Sequence, residues 1–319
     1  MTGLPDSSGP GEPGRGAEPA PGPAPRPEAS PAPTAPAAQQ WTVLDVIRWT
    51  AARFGERGLA TPRLDAELIV AQVLGLARVQ LYVQFDRPLS VTELGDIRGL
   101  IKRRQAGESV AYLVGKKEFW GLELAVDARV LVPRPDTETL IEEARVRLEG
   151  VEAPRIADVG TGSGALAVTL AKLRPDAVVF ASDISPGALE VARANAERLG
   201  VAVAFFEGDL AAPLQPHAPF RLIVANLPYI PSADLAALPP EVRAEPVLAL
   251  DGGPDGLDLV RKLIATAPAL LVAGGALALE IGARQAAATS ALLSEAGFVE
   301  IAVRPDLAGV ERVVAGVRP

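Results

Sequence analysis

Hydrophobic positions in the chain beyond residue 40 first recur every three or four residues, the spacing of one face of an α-helix. The first such run carries apolar side chains at Val43, Val46 and Ile47. A second run begins at Thr61 and a third at Ser90. The pattern predicts a small helical domain over residues 41–107.

The pattern changes in residues 108–130, where branched and aromatic residues alternate on either side of Gly121. This alternation around a glycine predicts a β-hairpin, which we interpret as a linker between two domains. A helical run then follows, and either Asp136 or Thr137 is expected to cap its amino terminus.

From about residue 150 onward, short apolar strands alternate with helical runs. The predicted strands are "RIADVG", "VVFASDI", "VAFFEGD", "RLIVAN" and "ALALEIG". Continuous apolar strands separated by helices predict an α/β domain with a doubly wound, mostly parallel sheet. Two final strands, "VEIAVRPD" and "ERVVAGVRP", have only a short connection, which favours an antiparallel hairpin at the end of the sheet. We assign residues 131–319 to this domain.

The first 40 residues have a different composition from the rest of the chain. They contain 11 of the 30 prolines, with four acidic and two basic residues and no apolar run. A segment of this kind cannot bury enough surface to offset its chain entropy, so residues 1–40 are predicted to be a disordered Pro/Ala-rich tail. It lacks the apolar core of a secretory signal.

Bulk composition narrows the function classes. The formal net charge of −8 disfavours a non-specific nucleic-acid binder, and the absence of cysteine excludes disulfides and thiolate metal sites. The one histidine, His217, is expected to face solvent in a proline-flanked loop, and we predict no metal site. No segment has the ~20 uncharged apolar residues that cross a bilayer. We expect a soluble, cytoplasmic protein.

A glycine-rich turn, "DVGTGSG", follows the first strand of the alternating region and opens a helix. Gly160, Gly162 and Gly164 allow a sharp turn and a close approach of a ligand to the main chain. The spacing is G-x-G-x-G and differs from the G-x-G-x-x-G of dinucleotide folds, which disfavours an NAD-dependent oxidoreductase.

Three polar residues end later strands of the same sheet. Asp183 could accept hydrogen bonds from ribose hydroxyls or cap the next helix, and Asp209 could accept from an adenine amino group or form a turn. Asn226 begins the stretch "NLPY". Because ligands of open α/β sheets bind at the carboxyl edge, we expect these side chains to face a nucleoside-binding crevice.

These motifs resemble those of class I S-adenosylmethionine-dependent methyltransferases that modify amide or exocyclic amino nitrogens. The further stretches "AYLVGKKEFW", "LVPRPDTETLIEEA" and "LEIGARQ" make the chain similar, from Trp41 to its end, to the release factor glutamine methyltransferases (the PrmC/HemK family). The resemblance implies a Rossmann-like, seven-stranded domain with an antiparallel carboxyl-terminal strand. It also implies methyl transfer from S-adenosylmethionine to the Gln of the Gly-Gly-Gln motif in class I peptide chain release factors.

The resemblance assigns roles to residues. The Asn226 side-chain oxygen and the Leu227 main-chain carbonyl are expected to accept the two N–H groups of the substrate amide, with Pro228 fixing the turn and Tyr229 packing against the amide. Asn226, Pro228 and Tyr229 are the expected catalytic residues. The expected cofactor-binding residues are Gly160, Thr161, Gly162, Ser163, Gly164, Asp183, Asp209, Leu210 and Asn226.

A second segment, "PRPDTE", is expected to wall the methyl-transfer pocket. The residues assigned to this wall are Phe119, Trp120, Arg134, Pro135 and Glu138. Phe119 and Trp120 are expected to belong to the core as well as the wall, and the alternative for Arg134 and Glu138 is that they are ordinary charges at a helix start. The chain departs from the family at two positions. Leu227 stands where proline is usual, and Leu210 stands where many relatives carry an aromatic residue beside the adenine.

Other functions are compatible with part of the pattern. "NLPY" also resembles the motif of ribosomal-RNA adenine dimethyltransferases, which makes an adenine-N6 RNA or DNA methyltransferase the nearest alternative. A related group methylates glutamine in a ribosomal protein. A non-catalytic nucleotide-binding protein is the alternative of another class. We expect a monomer that binds release factors and neither nucleic acid nor membrane, with the helical domain recognising the protein substrate.

Overall fold

Five helices form the amino-terminal part of the structure, a computed structural model that describes residues 40–319. They are α1 (Val43–Gly55), α2 (Pro62–Leu74), α3 (Arg78–Val83), α4 (Val91–Gln105) and α5 (Val110–Val114). The three predicted runs correspond to α1, α2 and α4, which bury Phe54, Ile69 and Ile97 in a common core. The tail predicted over residues 1–40 lies outside the described residues, apart from Gln40.

A two-stranded antiparallel hairpin follows, formed by β1 (Lys116–Phe119) and β2 (Leu122–Ala125). Its turn residues, Trp120 and Gly121, both have positive φ, 51° and 70°, as the tight turns of hairpins require. The strands lie on either side of Gly121, as the alternation predicts. The start of the predicted hairpin region differs, because residues 110–114 are the helix α5.

The remaining elements alternate along the chain. The helices are α6 (Glu138–Arg147), α7 (Ala165–Leu173), α8 (Pro186–Leu199), α9 (Pro240–Arg243), α10 (Asp258–Leu270) and α11 (Ala286–Glu295). The strands are β3 (Arg155–Val159), β4 (Val178–Asp183), β5 (Val203–Glu207), β6 (Phe220–Ala225), β7 (Leu271–Glu280), β8 (Val299–Pro305) and β9 (Glu311–Val317). None of the helices in the described part of the chain has the length and apolar character needed to cross a membrane.

Strands β3 to β9 form one seven-stranded sheet in the order β5-β4-β3-β6-β7-β9-β8. Neighbours among the first five are parallel, whereas β9 runs antiparallel to both β7 and β8. The predicted mostly parallel sheet with an antiparallel carboxyl-terminal strand is therefore confirmed. The last strand of the chain inserts between β7 and β8.

Both faces of the sheet are buried. In β6, Ile223 and Ala225 belong to one apolar cluster and Leu222 and Val224 to another, and all four are inaccessible to solvent. Helices on both faces explain why the central strands β3 and β6 are apolar along most of their length, whereas the edge strand β8 is largely exposed.

The expectation that His217 faces solvent is wrong. The imidazole lies 5.1 Å from the Phe180 ring and 4.5 Å from the Phe206 ring, measured between centroids, and the residue is only partly exposed. Flanking prolines indicated a loop, but they carry no information about the aromatic rings of β4 and β5 that approach from elsewhere in the chain.

Burial of Phe220 in the central strand β6 leads to a prediction about stability. Phe220 is fully buried and packs edge-on against Phe180 at 5.6 Å, so Phe220→Ala is expected to lower the free energy of unfolding by about 3–5 kcal/mol. The matched control is Phe85→Ala, where the side chain is 50% exposed and the expected change is below about 1 kcal/mol. Urea denaturation of both variants measures the difference, and equal losses would contradict the placement of the core.

Candidate active site

A cavity lies where the loops that follow β3, β4, β5 and β6 meet at the carboxyl edge of the sheet. Ten of the residues predicted for the site line it: Gly160, Thr161, Gly162, Ser163, Asp183, Asp209, Leu210, Asn226, Leu227 and Pro228. The parallel topology brings these residues together from four separate stretches of the chain, as the position of each at a strand end indicated.

The three glycines of the loop after β3 serve different structural purposes. All three have positive φ, 74° at Gly160, 56° at Gly162 and 83° at Gly164. A Cβ at Gly164 would lie 3.1 Å from the Ala192 Cβ, so this glycine lets α7 start against α8 and does not line the cavity. A Cβ at Gly162 would meet no atom within 4 Å, which leaves the main chain there open to a ligand.

Asp183 links the end of β4 to the glycine loop. Its carboxylate accepts hydrogen bonds from the main-chain N–H groups of Gly162 at 2.8 Å and Ser185 at 2.9 Å. Burial raises the pKa of Asp183, and these N–H groups oppose that shift. Ser185 itself caps α8 by accepting from the Ala188 N–H at 3.2 Å, so Asp183 is not the helix cap.

Asp158 was not predicted as a site residue. An acidic residue within an apolar strand, two residues before the glycine loop, could have indicated it. It is fully buried in β3, and one carboxylate oxygen accepts from the Thr161 hydroxyl at 2.6 Å and from the Ala167 N–H at 3.1 Å. Burial raises its pKa to about 7. Asp158 therefore braces the glycine loop from beneath.

Asp209 and Leu210 follow β5 at the far side of the cavity. The Asp209 side chain is exposed, and Leu210 is partly buried with a φ of 46°. The Leu210 carbonyl accepts a hydrogen bond from the Ser182 hydroxyl at 2.7 Å. That bond helps to hold a branched-chain residue in the left-handed region, where it is otherwise strained.

Asn226 presents its two amide atoms in different directions. Its Nδ2 donates to the Thr137 hydroxyl at 3.1 Å, whereas no described residue hydrogen-bonds to its Oδ1. The carbonyl of Leu227 likewise accepts no hydrogen bond from the described residues. Leu227 is 3% exposed and packs on the glycine loop, since a Cβ at Gly160 would lie 3.0 Å from its Cδ2.

Tyr229 lies beside Asn226 in the sequence but does not line the cavity. Its hydroxyl donates to Glu280 Oε1 at 3.4 Å, and its carbonyl accepts from Gln285 Nε2 at 3.0 Å. Burial raises the pKa of Tyr229, and the negative charge of Glu280 adds to the shift.

Glu280 is the second residue that the sequence analysis missed. It ends β7, is 1% exposed, and its Oε2 has no hydrogen-bond partner among the described residues. Burial raises its pKa to about 7, against the lowering effects of Thr137, Arg312 and Tyr229. The signal was present in the stretch "LEIG", where an acid ends an apolar strand.

The five residues predicted as the pocket wall do not line the cavity. Phe119 is 1% exposed in the core, and the Trp120 N–H donates to the Glu138 carboxylate at 2.8 Å. Arg134 pairs with the buried Glu245 at 2.5 Å, and Pro135 begins a 3₁₀ turn.

The cavity wall is built from neighbours of the predicted residues. It includes Pro133 and Thr137 on one side, and Pro246, Leu248 and Ala249 on another. The Arg134–Glu245 ion pair joins the two sides, because Arg134 follows Pro133 and Glu245 precedes Pro246 in the chain.

Two family models match the chain. A PrmC N-terminal domain model matches residues 45–115, and a methyltransferase domain model matches residues 156–245. A release factor glutamine methyltransferase of Geobacter sulfurreducens is 46% identical over 277 residues, which are 86% of this chain and 96% of that protein. The chain belongs to the release factor glutamine methyltransferase family. The enzyme of that name from Deinococcus radiodurans is 45% identical over 274 residues, 86% of this chain and 98% of that protein.

A solved structure supports the fold. The hMettl16 catalytic domain in complex with MAT2A 3'UTR hairpin 6 superposes with a TM-score of 0.52 at 15% identity, covering 68% of this chain and 81% of that one. The family identifies the large domain as a methyltransferase that uses S-adenosylmethionine. The cavity fits this cofactor, since Gly162 leaves the main chain open and the Asp183 carboxylate faces the same space.

Gly162 generates a prediction about cofactor binding. Gly162→Ala adds a methyl group that meets no protein atom but projects beside the cavity, so we expect S-adenosylmethionine to bind at least about tenfold more weakly. Gly200→Ala is the matched control, because Gly200 has a similar φ of 66°, equal open space and a place at the end of α8 outside the cavity lining.

Both variants are expected to lose about 1 kcal/mol of stability from the left-handed backbone, and only Gly162→Ala is expected to change the Kd. Isothermal titration calorimetry with S-adenosylmethionine measures that difference. Equal affinities in the two variants would contradict a role for Gly162 in holding the cofactor.

Proposed function

We propose that this protein is a protein-(glutamine-N5) methyltransferase that transfers a methyl group from S-adenosylmethionine to the Gln of the Gly-Gly-Gln motif in class I peptide chain release factors. The observation that carries the proposal is the pair of acceptors at the cavity, Asn226 Oδ1 and the Leu227 carbonyl, neither of which is hydrogen-bonded to a described residue. A primary amide has two N–H groups that such a pair can receive. The names of the relatives point to the same substrate.

The amide nitrogen of glutamine is a poor nucleophile because its lone pair is delocalised into the carbonyl. Two fixed acceptors orient the nitrogen and stabilise the positive charge that develops on it during transfer. The acceptors are set in the free protein, since Thr137 holds Asn226 and Pro228 restricts Leu227 to extended backbone. The chain is thereby arranged for the transition state before the substrate arrives.

S-adenosylmethionine, when bound, supplies an electrophilic methyl group on a sulfonium. The main-chain groups of the glycine loop would contact the cofactor, and Asp183 would accept hydrogen bonds from the ribose hydroxyls of the cofactor. Each Asp183 oxygen accepts one N–H within the protein and keeps a further lone pair for a ligand. Asp209 would accept from the adenine amino group, and Leu210 would contact the ring.

The helical domain, residues 41–107, is proposed to recognise the release factor, with residues 108–130 as the linker to the methyltransferase domain. A buried contact supports coupling between them. Arg104 of α4 is 5% exposed and pairs with Asp65 of α2 at 2.8 Å and with Glu241 of α9 at 2.5 Å. The chain from α9 continues to the cavity residues Pro246 and Leu248.

The formal charge of −8 supports a protein partner over nucleic acid. We further propose that the enzyme acts as a monomer in the cytoplasm, where release factors and ribosomes meet.

The proposal predicts methyl transfer that depends on one side chain of the substrate. With labelled S-adenosylmethionine, a class I release factor carrying Gly-Gly-Gln is expected to be labelled, and the same factor carrying Gly-Gly-Ala is not. Asn226→Ala is expected to lower the rate about 100-fold or more, as the loss of one preorganised polar group does in other enzymes.

Calorimetry and thermal melting of Asn226→Ala serve as controls for cofactor binding and folding. Label on the Gly-Gly-Ala factor would sink the glutamine assignment. Label absent from protein but present on adenine in RNA or DNA would support the nucleic-acid alternative in its place.

A further inference from the structure

Thr137 sits at the amino-terminal cap position of α6 but does not cap it. Its backbone is already helical (φ −65°, ψ −19°), since the 3₁₀ turn Pro135–Thr137 continues into α6, so its side chain is not placed to accept a hydrogen bond from a main-chain N–H of the first turn. Here it makes no such bond, and its hydroxyl oxygen accepts from Asn226 Nδ2 at 3.1 Å. Thr137 is 4% exposed and lines the cavity. The one hydrogen bond that the described residues make with this hydroxyl therefore links it to Asn226, a residue of the proposed site.

The direction of the Thr137 hydroxyl proton determines whether the hydroxyl oxygen can accept the hydrogen bond from Asn226 Nδ2. A hydroxyl that accepts from Asn226 must point its single proton elsewhere, toward another acceptor. Glu280 is the candidate acceptor, because it is buried at the end of β7, the strand next to Asn226, and the Thr137 hydroxyl is among the groups that lower its pKa. No described residue hydrogen-bonds to its Oε2.

Strand register explains how Glu280 reaches this place. Ala225 pairs with Leu279 across β6 and β7, so the residues that follow them, Asn226 and Glu280, leave neighbouring strands at the same level. Thr137 enters from the turn before α6 and contacts Asn226 from above this edge. Tyr229, the last residue of the "NLPY" turn, donates to the Oε1 of Glu280 at 3.4 Å.

We propose that Thr137 and Glu280 are positioning residues for methyl transfer: Glu280 orients the Thr137 hydroxyl, and Thr137 fixes the Asn226 amide so that Oδ1 faces the substrate. The inference rests on the proposed function. A primary amide that rotates by half a turn exchanges oxygen for NH₂, and an NH₂ facing the substrate would oppose its N–H groups. Fixing the rotation therefore keeps the acceptor in place.

The first experiment compares three variants at Thr137 and one control site. Thr137→Val keeps the shape and removes the hydroxyl, and it is expected to lower kcat at least about tenfold, the factor that corresponds to losing one ordinary hydrogen bond. Thr137→Ser restores the hydroxyl and is expected to recover activity to within about threefold of the wild type. Thr137→Ala removes both hydroxyl and methyl and is expected to be as slow as the valine variant.

The matched control is Thr289→Val in α11. Thr289 is fully buried and its hydroxyl has no partner among the described residues, so the same substitution there is expected to leave kcat unchanged. Calorimetry should give a Kd for S-adenosylmethionine within about twofold of the wild type in every variant, because neither Thr137 nor Thr289 belongs to the glycine loop.

The second experiment tests the link to Glu280 by a double-mutant cycle. Glu280→Gln places an NH₂ beside the Thr137 hydroxyl and is expected to lower kcat on its own. Added to Thr137→Val, it is expected to cause little further loss, because both substitutions break the same chain of hydrogen bonds. Independent, multiplying effects of the two substitutions would overturn the role of Glu280.

The outcomes separate this inference from the proposed function. A wild-type protein that fails to label Gly-Gly-Gln while labelling another substrate contradicts the glutamine assignment. Wild-type labelling with an unchanged kcat in Thr137→Val contradicts only the positioning role. A serine variant as slow as the valine variant, or a Kd that weakens in step with kcat, also contradicts that role and indicates a structural defect.

Discussion

Parallel hydrogen bonding between β3 and its neighbours fixes one row of residues across the sheet, and the chemistry of the protein depends on that row. Val159 pairs with Ser182 and with Ala225, and Ala225 pairs with Leu279. The next residue in each strand direction is Gly160, Asp183, Asn226 or Glu280. Strand pairing alone thus places four residues side by side, although up to 120 residues separate them in the sequence.

The row lies at the carboxyl edge of the sheet, and several groups at this edge lower the stability of the folded protein. Buried carboxyl groups at Asp158 and Glu280 have raised pKa values because burial disfavours their charged forms. Leu210 occupies left-handed backbone, with a φ of 46°. These local costs cluster around the cavity, whereas the strands beneath it are apolar and well paired. Such a distribution is typical of a site whose geometry is selected over its stability.

Much of the fold follows from local patterns in the sequence. The strands of the parallel sheet, the glycine turn and the polar residues at strand ends were all readable, because apolar runs and turn chemistry act over a few residues. Ten of the cavity-lining residues between Gly160 and Pro228 were predicted for the same reason. Their assignment to one edge needed only the rule that parallel strands end together.

What escaped prediction depends on contacts between distant segments. Thr137 reads locally as a helix cap, and only the approach of Asn226 shows otherwise. His217 reads as a loop residue until the rings of Phe180 and Phe206 are in place. Phe119 was expected to belong to both core and wall, and the structure buries it in a cluster shared with residues of α6 and α7 and away from the cavity lining. Spacing along the chain carries no information about such encounters.

The insertion of β9 between β7 and β8 has a consequence for biosynthesis. Val313 of β9 pairs with Glu280, and Arg312 lowers the pKa of that buried carboxyl. Translation delivers these residues after every other strand, so a nascent chain that has not reached Glu311 leaves β7 as an open edge. The edge of β7 and the surroundings of the Glu280 carboxyl are therefore completed together, when β9 joins the sheet.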